Sequence, residues 1–287
     1  KTDIPAGVFN VITASDPVSV GEQLVSDPRV DMVSFTGSTQ TGRAIMALAA
    51  QSIKKVFLEL GGKSANIILD DADMGSALLS ALQVCFHAGQ GCAINTRLLI
   101  PRSHYQQALE LLPGYFDFIA YGDPNAEDQI MGALISAKQR DRVLSYIEKG
   151  KAEGATLLLG GGTPAHLDKG FYVEPTVFVN VSNDMTIARE EIFGPVLVVI
   201  PYEDDDDAIR IANDSIYGLS GMINSASEER AMAMARRIRT GTLAVNGGNY
   251  YSGDAPFGGY KQSGIGREMG LEGFEEYLET KTIAVGV

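Results

Sequence analysis

The chain has 287 residues, 45% hydrophobic and 21% charged, with a formal net charge of −13. That balance suits a globular protein with a sizeable core, and its acidity excludes phosphate-backbone recognition, which needs clustered Lys and Arg. No apolar run nears the ~20 residues that span a bilayer and no secretory signal opens the chain, so neither nucleic acid nor membrane is an expected partner. Two cysteines point to a reduced, cytoplasmic setting rather than a disulfide framework. The first residue is Lys1, so processing or further upstream sequence is expected.

Short β-branched runs alternate with helical patterns, which predicts an α/β fold with a parallel sheet. Strands are expected at residues 8–13, 31–36, 56–60, 65–69, 97–100, 156–159, 195–200, 219–223 and 242–245. After the second of these, Phe35-Thr36-Gly37-Ser38-Thr39-Gln40-Thr41-Gly42-Arg43 leaves a strand and opens a helix. Free amides at a helix N-terminus make a ready phosphate site, although a tight turn explains the same residues. The run is not G-x-G-x-x-G, and Gly62-Lys63-Ser64 lacks the earlier glycine of a P-loop.

Glu59 ends the third expected strand, in Leu58-Glu59-Leu60-Gly61-Gly62. It is either a solvated strand-end acid or a general base in the crevice where α/β sheets place ligands. Asp73 then caps a helix whose apolar stripe runs Met74, Ala77, Leu78, Ala81, Leu82 and Cys85. Cys85 continues that stripe and reads as packing. Cys92 lies beyond it, in Gly89-Gln90-Gly91-Cys92. Most free cysteines are inert, but a glycine-flanked loop lets backbone approach a substrate and offer amides to an oxyanion. Spacing leaves both readings of Cys92 open.

Further on, Ser136 opens a helix with Val143, Leu144 and Ile147 facing inward and Gly154 beyond its end. Glu190-Glu191-Ile192-Phe193-Gly194-Pro195 sets two acids before an aromatic and a rigid turn. The four acids Asp204, Asp205, Asp206 and Asp207 read as a solvated helix start, not a metal site. Asn246 and the glycine-rich stretch from Ala255 to Gly264 follow the last expected strand. No paired C-x-x-C or H-E-x-x-H spacing occurs, so no metal is expected.

Taken in order from Pro5-Ala6-Gly7-Val8-Phe9-Asn10 onward, these segments resemble the aldehyde dehydrogenase superfamily. The resemblance implies Cys92 as nucleophile and Glu59 as general base, with thiohemiacetal and thioester intermediates. It sets Gly37 and Ser38 at the cofactor pyrophosphate, with Gly42, Leu60 and Gly61 also on the cofactor side. Glu191 would hold the nicotinamide ribose, Phe193 would lie beside the ring, and Asn246 and Phe257 would line the substrate tunnel. NAD is the implied cofactor, with NADP the alternative, and a small aldehyde the substrate.

By the same resemblance, residues 1–61 are the second half of a dinucleotide-binding domain and 62–262 the catalytic domain. Residues 263–287 would be a return helix and a last strand, at 281–287, that pairs with a neighbouring subunit in a homo-oligomer (dimer or tetramer). The family's N-terminal portion has no counterpart here, and residues 111–116 depart from the usual helical pattern. Two other readings compete. One is a thiol hydrolase or acyl transferase pairing Cys92 with His87 or His166. The other is an inactive member that keeps only the fold.

Overall fold

The computed structural model describes residues 3–286. Its strands are β1 (Met32–Thr36), β2 (Lys55–Glu59), β3 (Ser64–Ile68), β4 (Asn95–Pro101), β5 (Thr156–Leu159), β6 (Thr176–Val179), β7 (Val196–Tyr202), β8 (Gly221–Asn224), β9 (Ala244–Val245) and β10 (Gly264–Ile265). The helices are α1 (Pro17–Ser26), α2 (Thr39–Ala49), α3 (Met74–Leu78), α4 (Tyr105–Phe116), α5 (Ala137–Ala152), α6 (Thr186–Arg189), α7 (Asp205–Asn213), α8 (Glu228–Ala235) and α9 (Gly270–Glu275). None is long and apolar enough to cross a membrane.

Two sheets share these strands. In the smaller, β2 lies between β1, parallel to it, and β10, antiparallel, so Glu59 at the end of β2 faces Thr36 on one side and Gly264 on the other. The larger runs β5-β6-β7-β4-β3-β8-β9. All its neighbours are parallel except the β5–β6 pair. Its central strands are buried along their length, as expected of parallel strands covered on both faces. The chain crosses from one sheet to the other at Leu60–Lys63, between β2 and β3.

Arg97, fully buried on β4, ties several elements together. Its guanidinium donates to Lys63 O, Asn183 Oδ1, Ile211 O and Ala212 O, each at 2.9 Å. Burial lowers its pKa to about 10, which still leaves it charged at neutral pH. Arg97→Met is expected to strand these acceptors and destabilise the fold by at least about 3 kcal/mol. A urea titration checks this, and Arg97→Lys should not restore stability, because an ammonium cannot reproduce the planar fork.

Several expectations need correction. Residues 8–13 form no strand: Val8, Phe9, Val11 and Ile12 are exposed, and no described strand offers them a partner. Residues 281–286 make no β pairing within the chain, the expectation there being a pairing with a neighbouring subunit, and Val287 lies outside the described residues. The helix after Asp73 is not continuous. It passes at Leu79 into tighter 3₁₀ turns and breaks at Phe86, whose ψ of 135° is extended. Residues 111–116, by contrast, stay helical through Pro113, because Ala108, Leu112 and Phe116 bury one face of α4 and outweigh the lost hydrogen bond. Asp204–Asp207 do start a helix: Asp204 caps α7 through Asp207 N, and Asp205, Asp206 and Asp207 pair with Arg230, Arg237 and Arg210.

Candidate active site

Cys92 sits on a loop that the break at Phe86 projects away from the core. His87, Ala88 and Gly89 all have left-handed φ, of 51°, 54° and 72°, and so reverse the chain just before it. Two non-glycine residues in that region store strain, which persists only where neighbours hold it. Gly89 is one such anchor, since a Cβ there would drive into the Gly194 carbonyl. Gly89→Ala is therefore expected to cost roughly 2–4 kcal/mol, from the left-handed φ and the overpacking together. A drop in Tm of several degrees would register it.

The loop divides two spaces. One is a cleft of about 820 Å³ lined by Cys92, Glu59, Gly61, Glu191, Phe193 and the start of α2. The other is a chamber of about 430 Å³ lined by Cys92, Phe86, Met222, Tyr250 and Tyr251. Residues from β2, the Cys92 loop and the loop before β7 thus meet at one thiol.

Glu59 is 2% exposed, and neither carboxylate oxygen has a hydrogen-bond partner. Burial, and then the charge of Glu268, raise its pKa to about 7. The Cys92 thiol is also raised, first by burial and then by the charges of Glu59 and Glu191, so near neutral pH it rests as the thiol. Cys85 is fully buried and pushed up to about 12.

Glu191 approaches the crossover between the sheets. Its Oε1 accepts from Gly62 N at 3.0 Å, and a Cβ on Gly61 would collide with the same carboxylate. A Cβ on Gly62 would strike Cys92 O. The two glycines therefore admit both Glu191 and the Cys92 loop to one stretch of backbone. Phe193, with φ 61°, projects partly exposed into the cleft. Ser38 caps α2, accepting from Thr41 N, so the first amides of that helix open on the cleft beside Gly37. Gly42 and Leu60 pack against each other where α2 crosses β2.

The structure does not bring every expected residue to the thiol. Asn246 Oδ1 accepts from Ser225 N, and the residue lines a neighbouring cavity with Asn224 and Ser225. Phe257, 5% exposed, packs with Ala93 and Leu219 beneath Cys92 and Tyr250 rather than on the chamber wall. His166 lies beside Tyr121 and lines neither space, while His87 lines the chamber but makes no hydrogen bond to Cys92.

Sequence reasoning missed the polar face of α5. Gln139 Nε2 donates to Ile192 O and Phe193 O, Arg142 to Glu191 O, and the Tyr146 hydroxyl to Glu190 Oε2. Gln90 Oε1 accepts from Ile135 N just ahead of the Ser136 cap, so this end of α5 joins the Cys92 loop to the 190–194 loop. The three-, four-residue spacing of 139, 142 and 146 was the available signal. Lys63 was also missed. Its buried Nζ has no hydrogen-bond partner, and burial, followed by the charge of Arg97, lowers its pKa to about 7 against the opposing pull of Glu191 and Glu190.

A half-buried thiol, a buried carboxylate without a hydrogen-bond partner and a helix start with free amides thus come together at the junction of the two sheets of an α/β fold. Comparison with known proteins gives the family. The sequence profile described as "Aldehyde dehydrogenase family" matches residues 1–283, and the chain belongs to that family. Over 285 residues it is 48% identical to a 3-succinoylsemialdehyde-pyridine dehydrogenase of a Pseudomonas species, covering 99% of this chain and 59% of that protein.

Among solved structures, an aldehyde dehydrogenase of Mycobacterium tuberculosis complexed with NAD+ superposes with a TM-score of 0.87 at 48% identity. The match covers 89% of this chain and 53% of that one. A betaine aldehyde dehydrogenase of Staphylococcus aureus in complex with NAD+ gives 0.89 at 43%, covering 91% and 52%. The chain thus spans little more than half the length of the proteins it matches.

Proposed function

We propose that this chain carries the catalytic machinery of an NAD-dependent aldehyde dehydrogenase, with Cys92 as nucleophile and Glu59 as the base that frees the product. The observation that carries the reading is a thiol between two cavities, with a buried, partnerless carboxylate on the wall of one. Family membership and the NAD+ bound to related crystal structures support it.

The larger cleft fits the cofactor chemically. Gly37, Ser38 and the first amides of α2 suit a pyrophosphate. Glu191 uses one oxygen on Gly62 and keeps acceptor capacity for ribose hydroxyls, with Phe193 beside the ring. When bound, the nicotinamide supplies the hydride acceptor.

The chain's own residues do the rest. Cys92 loses its proton to solvent and adds to the carbonyl carbon, so a C–S bond forms and the carbonyl π pair becomes an alkoxide. After oxidation of that adduct, the acyl group remains on Cys92 as a thioester. Glu59 takes a proton from water, the hydroxide adds, and the C–S bond breaks to release the acid and restore the thiolate. A carboxyl with a pKa near 7 suits that task at neutral pH. No contact favours the Cys–His alternative, because the His87 ring makes no bond to the thiol.

Within this proposal, residues 1–61 contribute to cofactor binding and 62–262 to catalysis. The exposed Ile283 and Val285 would pair with another subunit. The decisive experiment follows reduced nicotinamide and carboxylic acid together, with NAD+ and a set of aldehydes. Stoichiometric formation of both supports the reading, and acid released without nicotinamide reduction refutes it.

A further inference from the structure

Just ahead of the thiol, Gln90 makes hydrogen bonds that join two loops. Its backbone N–H and its side-chain Nε2 both donate to His87 O, at 3.1 and 3.0 Å. Its Oε1 accepts from Ile135 N at 3.0 Å. The first two bonds close the reversal at His87 and Ala88, whose φ values of 51° and 54° are left-handed. An L residue reaches that region only against a clash of its Cβ with the following carbonyl, so such a segment relaxes unless contacts hold it. The third bond fastens the reversal to the residue before Ser136, the cap of α5.

The same end of α5 holds the loop that carries Phe193. Ser136 Oγ accepts from Gln139 N at 3.2 Å, and Gln139 Nε2 donates to Ile192 O and Phe193 O at 3.2 and 2.7 Å. Cys92 and Phe193 line one cleft, and both are thereby tied to the start of one helix. On its other side the loop is seated on the crossover between the sheets, where a Cβ on Gly62 would strike Cys92 O. Only a side-chain amide offers a donor to His87 O and an acceptor to Ile135 N from one flat group. A carboxylate of the same length has no donor, and a thioether has no donor and only a weak acceptor.

We propose that Gln90 is a positioning residue for Cys92: its side-chain amide holds the left-handed reversal against the start of α5 and so sets where the sulfur stands relative to Phe193. The assignment rests on Cys92 being the nucleophile. Hydride transfer needs the reacting carbon placed closely against its acceptor, and a shift of about 1 Å costs on the order of 10²-fold. Alkylation by a small soluble reagent needs only that the thiol be reached. The two reactions therefore separate aim from access.

The test is made in a Glu59→Gln background, where one equivalent of reduced nicotinamide is expected before the reaction stops at the thioester. Excess NAD+ is mixed with propanal, hexanal or benzaldehyde and nicotinamide absorbance is followed by stopped flow. The rate of the single turnover reports the aim of the thiol, and its amplitude counts competent sites. Adding Gln90→Met should slow that turnover roughly 10- to 100-fold at unchanged amplitude, while iodoacetamide labels Cys92 at least as fast as before. Gln90→Glu should be slowed as well, because the bond it loses is the one that closes the reversal. A parent rate in either variant overturns the proposal. So does a reduced amplitude whose remaining sites react at the parent rate, since that is a loss of fold and not of aim. If none of the three aldehydes gives reduced nicotinamide while Gln90 is intact, the nucleophile reading itself is refuted.

Discussion

Cys92→Ser is expected to abolish aldehyde oxidation, with a loss of at least about 10⁴-fold in turnover. An alkoxide is harder to generate than a thiolate in this half-buried position, and it is a poorer leaving group when the acyl intermediate is hydrolysed. The surroundings of Cys92 sharpen the expectation. Burial, then Glu59 and Glu191, hold it as a thiol, so its alkylation rate in the parent should climb as pH rises above neutrality. Cys85, fully buried and pushed up to about 12, should stay unlabelled until the protein is unfolded in urea. Mass-spectrometric mapping of the two cysteines checks this, and equal, slow labelling of both would remove the basis for a reactive Cys92.

Glu59→Gln should separate the two halves of the reaction. One equivalent of reduced nicotinamide is expected to form in a burst, after which turnover stalls at the thioester, with the steady rate down roughly 10²- to 10⁴-fold. In the parent, product release should weaken as pH falls through about 7, because protonated Glu59 cannot accept a proton from water. The variant should lose that limb of the profile.

The same substitution carries a stability prediction whose sign follows from linkage. The folded-state pKa, about 7, exceeds the ordinary value of 4.5, so folding disfavours the ionised form. The penalty is absent below 4.5, grows between the two values and is complete above about 7. Glu59→Gln should therefore raise Tm by a few degrees above neutral pH and by little in mild acid. Thermal melts across that range decide the matter, and a variant less stable than the parent at alkaline pH would contradict the partnerless burial of this carboxylate.

Much of the site was legible from residue types and order. Cys92 stood out because it fell outside the stripe that claimed Cys85, and Glu59 because it ended a strand before two glycines. The strands of the large sheet were legible because parallel strands covered on both faces read as continuous apolar runs. What composition could not supply was pairing and contact. Residues 8–13 carry strand-like composition, yet meet no partner ladder among the described residues. Packing sets Phe257 beneath the thiol, and a hydrogen bond to Ser225 turns Asn246 to a neighbouring cavity.

The sequence by itself determined the α/β class and the helix starts at Asp73, Ser136 and Asp204, and it singled out Cys92 and Glu59, all from neighbours a few residues away. Only the tertiary structure decided that Glu59 is buried without a partner, that Gly61 and Gly62 admit Glu191 and Cys92 to the same stretch of backbone, and that Gln139 and Arg142 brace the loop carrying Phe193. Those properties arise between residues far apart in the chain, where burial and close approach are set by how the two sheets meet rather than by any local pattern.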